Sequence, residues 1–229
     1  MNAPAPIERK RTSAWSMYRS IVGIGAFCAL LIVTVYQATA ERIADNKARF
    51  LSNAVAEVLP ASKTTIEVNL DADGMLVAAT EPAELPVFLG YGEEGELVGA
   101  VITAQGMGYQ DNITVLYSYS FDLEAIVGFK VLESKETPGL GDKVEIEPNF
   151  LANFEALDAR LSENGTALAN AIVTVKEGER TELWQLDGIT GATITSDAIG
   201  AILNQGSSAW LPALERDARG FQPTQSIEE

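Results

Sequence analysis

"DGITGATITSDAIG", Asp187 to Gly200, compresses a strand end, a tight turn and a helix start into one short stretch. The residues leading into it, "TELWQLDGI" (181–189), read as a strand. Ala198, Ile199, Ile202 and Leu203 then recur at helical spacing, so a helix is expected from Ser196 to about Gln205. Thr195 or Ser196 is its natural N-cap, and Asp197 suits the positive end of the macrodipole. Between strand and helix, Gly191 and Ala192 have almost no side chain and let a bulky ligand approach the backbone. Two readings fit. One is an ordinary strand–turn–helix with a capped helix. The other is a phosphate site, since free N–H groups and the dipole at a helix start hold phosphate readily, with the hydroxyls of Thr190, Thr193, Thr195 and Ser196 around it.

Upstream, "TIEVNL", "MLVAA", "LVGAVIT", "ITVLYSYS" and "EAIVGFKVL" read as short strands separated by turn chemistry such as Gly92-Glu93-Glu94-Gly95. Asp71-Ala72-Asp73-Gly74 is read as a hairpin turn, because the remaining ligands and closing Glu of a calcium loop are missing. "PNFLANFEALDARLSENG" has the pattern of an amphipathic helix ended by Asn164-Gly165, and "ALANAIVTV" reads as a further strand. Strands in local runs with helices near both ends give an α+β fold, mainly antiparallel sheet with flanking helices, over residues 61–217. The polar tail from 218 to 229, and "RDARGFQPTQSIEE" generally, is expected to fray.

A second loop, "SKETPGLGDKV" (134–144), follows a strand directly. Thr137-Pro138-Gly139 sets a tight turn, Leu140 is left exposed on it, and Gly141 releases the backbone afterwards. Leu140 is either a loop tip or a small apolar contact for a flat aromatic ligand.

Composition narrows the chemistry. The formal net charge of −16 argues against nucleic acid as a partner. The chain has no His, which excludes His-based general bases and His-ligated metals. Its single Cys, Cys28, excludes an intrachain disulfide or thiolate cluster. No catalytic side chain and no metal site is therefore expected, and any redox work falls to a bound cofactor. Ser20 to Ala40 runs 21 residues without a charge, roughly 30 Å as a helix, which is the thickness of a bilayer core. Arg9, Lys10, Arg11 and Arg19 precede it, so residues 1–19 are expected in the cytoplasm and the bulk outside it. A cleaved signal peptide is the competing reading, since Ala38-Thr39-Ala40 has the small-x-small form. Against cleavage, the apolar run is long and the pattern continues unbroken into a juxtamembrane helix at 41–60, with Ile43, Phe50, Leu51, Val55 and Val58 on one stripe and Pro60 as its stop.

Taken together the two loops carry a resemblance. Thr190-Gly191-Ala192-Thr193 resembles the (Ser/Thr)-Gly-Ala-Thr motif at which a flavin transferase attaches FMN, through a phosphoester, to the last Thr. Glu136-Thr137-Pro138-Gly139-Leu140-Gly141 resembles the Glu-Thr-Pro-Gly-Leu-Gly loop of the same flavoprotein family. That family is the FMN-binding domain shared by the G-type subunit of the Rnf-type ion-translocating oxidoreductase and the C-type subunit of the sodium-pumping NADH:quinone oxidoreductase. Length and the uninterrupted "ETPGLGDKV" are closer to the G-type subunit. The resemblance implies a single-pass inner-membrane flavoprotein, extracytoplasmic in bulk, that passes electrons through covalent FMN in a redox-driven ion-translocating complex. It implies Thr193 as the phosphoryl acceptor, which makes the chain a phosphoprotein, with Thr190, Gly191, Ala192, Thr195 and Ser196 around the phosphate. Thr137, Leu140 and Gly141 would lie against the flavin ring. Its implied partners are the other membrane subunits of the complex and, during maturation, the flavin transferase. Two departures leave the complex open: Ser134 stands where members often have His, and "GMGYQD" (106–111) replaces a Gly-Tyr-Gly-Gly stretch. The alternatives are membership of the sodium-pumping enzyme or of another extracytoplasmic electron route, and a tethered anion-binding scaffold without flavin.

Overall fold

The computed structural model describes residues 14–221, so Arg9, Lys10, Arg11 and the last eight residues of the tail lie outside the described residues. The chain opens with one long helix, α1 (Ala14–Val58). Every residue from 15 to 50 on it is exposed, apolar ones included, and it is long and apolar enough to cross a membrane. The remainder, from Leu51 onward, is a compact unit.

That unit is built on a seven-stranded sheet in the order β2-β1-β3-β4-β5-β6-β7, antiparallel throughout. The strands are β1 (Thr64–Leu70), β2 (Leu76–Ala78), β3 (Val87–Tyr91), β4 (Leu97–Met107), β5 (Asn112–Ser120), β6 (Ala125–Glu133) and β7 (Leu157–Asp158). Side chains alternate between the two faces of a strand, and here both faces are covered. Ala100, Ile102 and Ala104 of β4 and Ile113, Val115, Tyr117 and Tyr119 of β5 point into the main core. Val101 and Leu116 point the other way, against Ala54, Val55, Val58 and Leu59. Burial on both faces explains why these strands read as apolar runs instead of alternating ones.

The second face is shaped for backbone. Gly90 pairs with Gly99 across β3 and β4, and Ser118 pairs with Gly128 across β5 and β6. Leu59 lies against Gly90 and Gly99, while a side chain on Gly128 would run into the Val58 carbonyl. The Ser118 hydroxyl donates to that carbonyl at 2.5 Å, which satisfies an acceptor left free at the helix end. Leu51, Ala54, Val55, Val58 and Leu59 therefore pack into the folded domain, across the boundary read at residue 61.

Four expectations are corrected. The stretch from Pro148 is not an amphipathic helix to Asn164: α2 (Pro148–Leu151) gives way to a 3-10 turn (Ala152–Glu155) and then to β7. Phe150 and Phe154 do sit at helical spacing, but they pack with Phe129 (rings of Phe129 and Phe154 stacked at 4.2 Å), and Leu157 pairs with Ile126 on β6. The two late strands shrink to β8 (Val173–Val175) and β9 (Gln185–Asp187), and they run parallel. Finally, α3 (Thr193–Asp217) begins before Ser196 and runs well beyond Gln205. Its buried stripe, Ile199, Ile202, Leu203, Leu211 and Leu214, closes the main core. Residues 216–221 do not fray, since Ala218 is buried and the Tyr91 hydroxyl donates to the Phe221 carbonyl at 2.7 Å. The Asp71–Gly74 segment is the expected hairpin turn: Asp71 Oδ1 accepts from the Asp73 and Met75 amides and Gly74 has φ +72°.

Candidate functional site

The strand–turn–helix around Gly191 is held in place by a buried side chain. Asn153, 1% exposed, accepts from the Asp187 amide at 2.9 Å and donates to the Asp187 carbonyl at 3.1 Å, doing for β9 what a neighbouring strand would do. Beyond Asp187 the chain turns through Gly191, φ +86°, a left-handed conformation that L side chains avoid. It then enters α3 from Ala192 with no side-chain cap. The capping residues expected from sequence are inside the helix. Ser196 is fully buried, its hydroxyl accepting from the Ile189 amide (3.1 Å) and donating to the Ala192 carbonyl (3.0 Å). Thr195 is also buried, and its hydroxyl donates to Glu136 Oε2 at 2.7 Å. As a result the amides of Thr193, Ile194 and Thr195 have no acceptor among the described residues. These are free donors at the positive end of a 25-residue helix.

These donors border a cavity of about 330 Å³. Three segments form its wall: Tyr109 from the β4–β5 turn, Glu136, Thr137, Leu140 and Gly141 from the loop after β6, and Gly191 to Thr195. The loop after β6 is the tight turn expected, with the Leu140 and Gly141 amides both donating to the Thr137 carbonyl (3.1 and 3.0 Å) and Gly139 at φ +78°. Leu140 is half exposed, and Tyr109 and Ile194 are more so, which gives the mouth an apolar rim. The Thr193 side chain is exposed and lines the cavity.

Seven of the nine residues singled out in the sequence thus meet at one cavity: Thr137, Leu140, Gly141, Gly191, Ala192, Thr193 and Thr195. Thr190 and Ser196 do not line it. Ser196 is core. The Thr190 amide donates to Glu177 Oε2 at 2.9 Å, and the Thr190 hydroxyl, together with that amide, holds the Glu177 carboxyl below its usual range. Three lining residues, Glu136, Tyr109 and Ile194, carry no role that the sequence alone suggests. Tyr109 lies within "GMGYQD", so that departure from the family pattern falls at the cavity.

An exposed hydroxyl, three uncapped amides and an apolar rim suit a phosphate joined to a flat aromatic group, and the donor set fits FMN. Residues 108–207 match the FMN-binding domain family, and those residues hold all of the cavity wall. The fold agrees: it resembles the crystal structure of the C-type subunit of Na(+)-translocating NADH-quinone reductase from Parabacteroides distasonis (TM-score 0.58, 20% identity, 76% of this chain and 96% of that one). It also resembles that of Shewanella oneidensis NqrC (TM-score 0.52, 19% identity, 74% and 94%). Residues 108–207 therefore carry a domain of the FMN-binding type. Among curated relatives, the G-type subunit of the ion-translocating oxidoreductase complex of Methanosarcina acetivorans is 30% identical over 186 residues, 79% of this chain and 85% of that protein. The corresponding subunit of Cereibacter sphaeroides is 28% identical over 208 residues, 88% and 89%. The chain belongs to the family of G-type subunits of ion-translocating oxidoreductase complexes.

Proposed function

We propose that the chain is the membrane-anchored flavoprotein subunit of a redox-driven ion-translocating complex and carries electrons through FMN esterified to Thr193. The observation that carries this reading is that Thr193 is exposed and lines an apolar-rimmed cavity at the helix start where the amides of Thr193, Ile194 and Thr195 have no acceptor among the described residues. When bound, FMN supplies electron transfer in single or paired steps. The protein holds, orients and shields. The three amides would hold the phosphate, Gly191 and Ala192 would let it approach the backbone, and Thr137, Leu140 and Gly141, with Ile194 and Tyr109 on the rim, would lie against the ring. No proton donor or acceptor of the chain is needed, so no independent catalysis is expected from it.

Attachment forms a bond from Thr193 Oγ1 to phosphorus and breaks the hydroxyl O–H. Water competes with such an ester, so the donor must be a flavin nucleotide with a phosphoanhydride. That anhydride P–O bond breaks, and a nucleoside monophosphate leaves with the proton. A flavin transferase supplies this step during maturation. In this reading α1 is retained as the anchor, the basic flank stays in the cytoplasm, and the domain from Leu51 faces the other side beside further membrane proteins of the complex.

Co-expression with a flavin transferase tests the reading. The wild type should show flavin fluorescence in its band on a denaturing gel, and peptide mass should place the adduct on Thr193. Thr193→Val should abolish it, while Thr195→Ala should keep part of it. A fluorescent Thr193→Val band would remove the site assignment, and a colourless wild type would favour an anion-binding scaffold.

A further inference from the structure

Glu136 is only 6% exposed, yet it lines the cavity. Its Oε1 accepts from the Tyr109 amide (2.9 Å) and the Gln110 amide (3.0 Å), and its Oε2 accepts from the Thr195 hydroxyl (2.7 Å). One carboxylate thus joins the three segments of the wall: the β4–β5 turn, the loop after β6 and the first turn of α3. Two glycines make room for it. A Cβ on Gly141 would stand 2.7 Å from Glu136 Cβ and Oε2, and one on Gly108 would stand 2.6 Å from Oε1. Both gaps are closer than any real Cβ contact, so the local sequence is fitted to this side chain. Among the described residues no Lys or Arg lies within ion-pair distance of it. Three neutral donors hold the carboxylate in the wall of the cavity.

Resting on the FMN reading, we propose that Glu136 is a positioning residue with a second, electrostatic effect. Through Thr195, two residues past Thr193, it fixes the first turn of α3 against the facing loops and so sets the attitude of the attachment oxygen. Its uncompensated charge makes the cavity less hospitable to electrons, because an occupant that gains negative charge on reduction is repelled in a low-dielectric site.

The two effects separate by variant. Gln at 136 keeps the shape: its amide oxygen accepts from the two backbone N–H groups and its NH2 donates to the Thr195 oxygen, which has lone pairs to spare. Glu136→Gln should therefore take up covalent flavin at the wild-type rate and show a midpoint potential shifted upward. Glu136→Ala loses all three bonds, and its rate of flavin incorporation by the transferase should fall about tenfold or more, as small misplacements of a reacting atom cost that much. Circular dichroism establishes whether Glu136→Ala is folded; if it is not, the potential of Glu136→Gln decides alone. A Glu136→Gln protein with the wild-type potential and spectrum, or a folded Glu136→Ala protein flavinylated at the wild-type rate, overturns the inference while leaving the FMN reading intact. A wild type without covalent flavin removes both.

Discussion

Four hydroxyls crowd the Thr190–Ser196 stretch, and burial together with hydrogen bonding divides their work. Thr193 is the exposed one at the cavity, Thr195 is turned to Glu136, Thr190 is tied to Glu177, and Ser196 is locked inside the turn. Ser196→Ala tests this division. It leaves the buried Ile189 amide without a partner, at a cost of about 1–3 kcal/mol. The expected result is a lower thermal midpoint with covalent flavin still present on the gel. Loss of the flavin at unchanged stability would mean that the hydroxyl serves the ligand and not the fold. Sequence located the motif, since a Gly-Ala pair before a helical stripe is visible in one dimension. It could not rank the hydroxyls, because which of them is engaged depends on Glu136 and Glu177, which arrive from other segments.

At the level of elements, α3 is fastened at both ends. Its start meets the cavity, and at its end Asp217 Oδ2 accepts the Leu76 amide of β2 at 3.0 Å. The Arg216 guanidinium, hydrogen-bonded to Asp217, holds that carboxyl below its ordinary range, with the Leu76 amide adding to the effect. The unfolded chain therefore takes up the proton at higher pH than the folded one. The stabilisation from this tie is complete above the unfolded Asp value of about 3.9 and is lost as pH falls through the lower folded value. Asp217→Asn should be less stable than the wild type at neutral pH, with the gap in thermal midpoint closing in acid. A gap that stays constant down to about pH 2, below the usual carboxylate range, would refute a titrating tie.

Strands β1, β4, β5 and β6 were legible because their apolar runs are bounded by Gly and Asp turns. β3, "VFLGY", was not, since it is short, contains Gly90 and lies between Pro86 and Gly92, although it pairs with both β1 and β4. The false helix after Pro148 has the opposite cause: Phe150, Phe154, Leu157 and Leu161 keep helical spacing, but tertiary partners on β6 claim the first three.

For the whole molecule, the glycine-lined face of the sheet decides where the chain can be shortened. Leu51, Ala54, Val55, Val58 and Leu59 fall in the stretch read from sequence as a juxtamembrane helix, yet they roof Val101 and Leu116. Truncation at Ala61, the natural choice from sequence, would strip that roof and leave an apolar strip of sheet open to water. Such a fragment should bind a hydrophobic dye and self-associate. A fragment begun at Lys47 keeps the last turns of α1 and should be a soluble monomer with the full cavity. Size-exclusion chromatography of the two decides it, and equal behaviour would mean that the roof is dispensable. The portion expected to stay folded and soluble on its own thus begins inside α1.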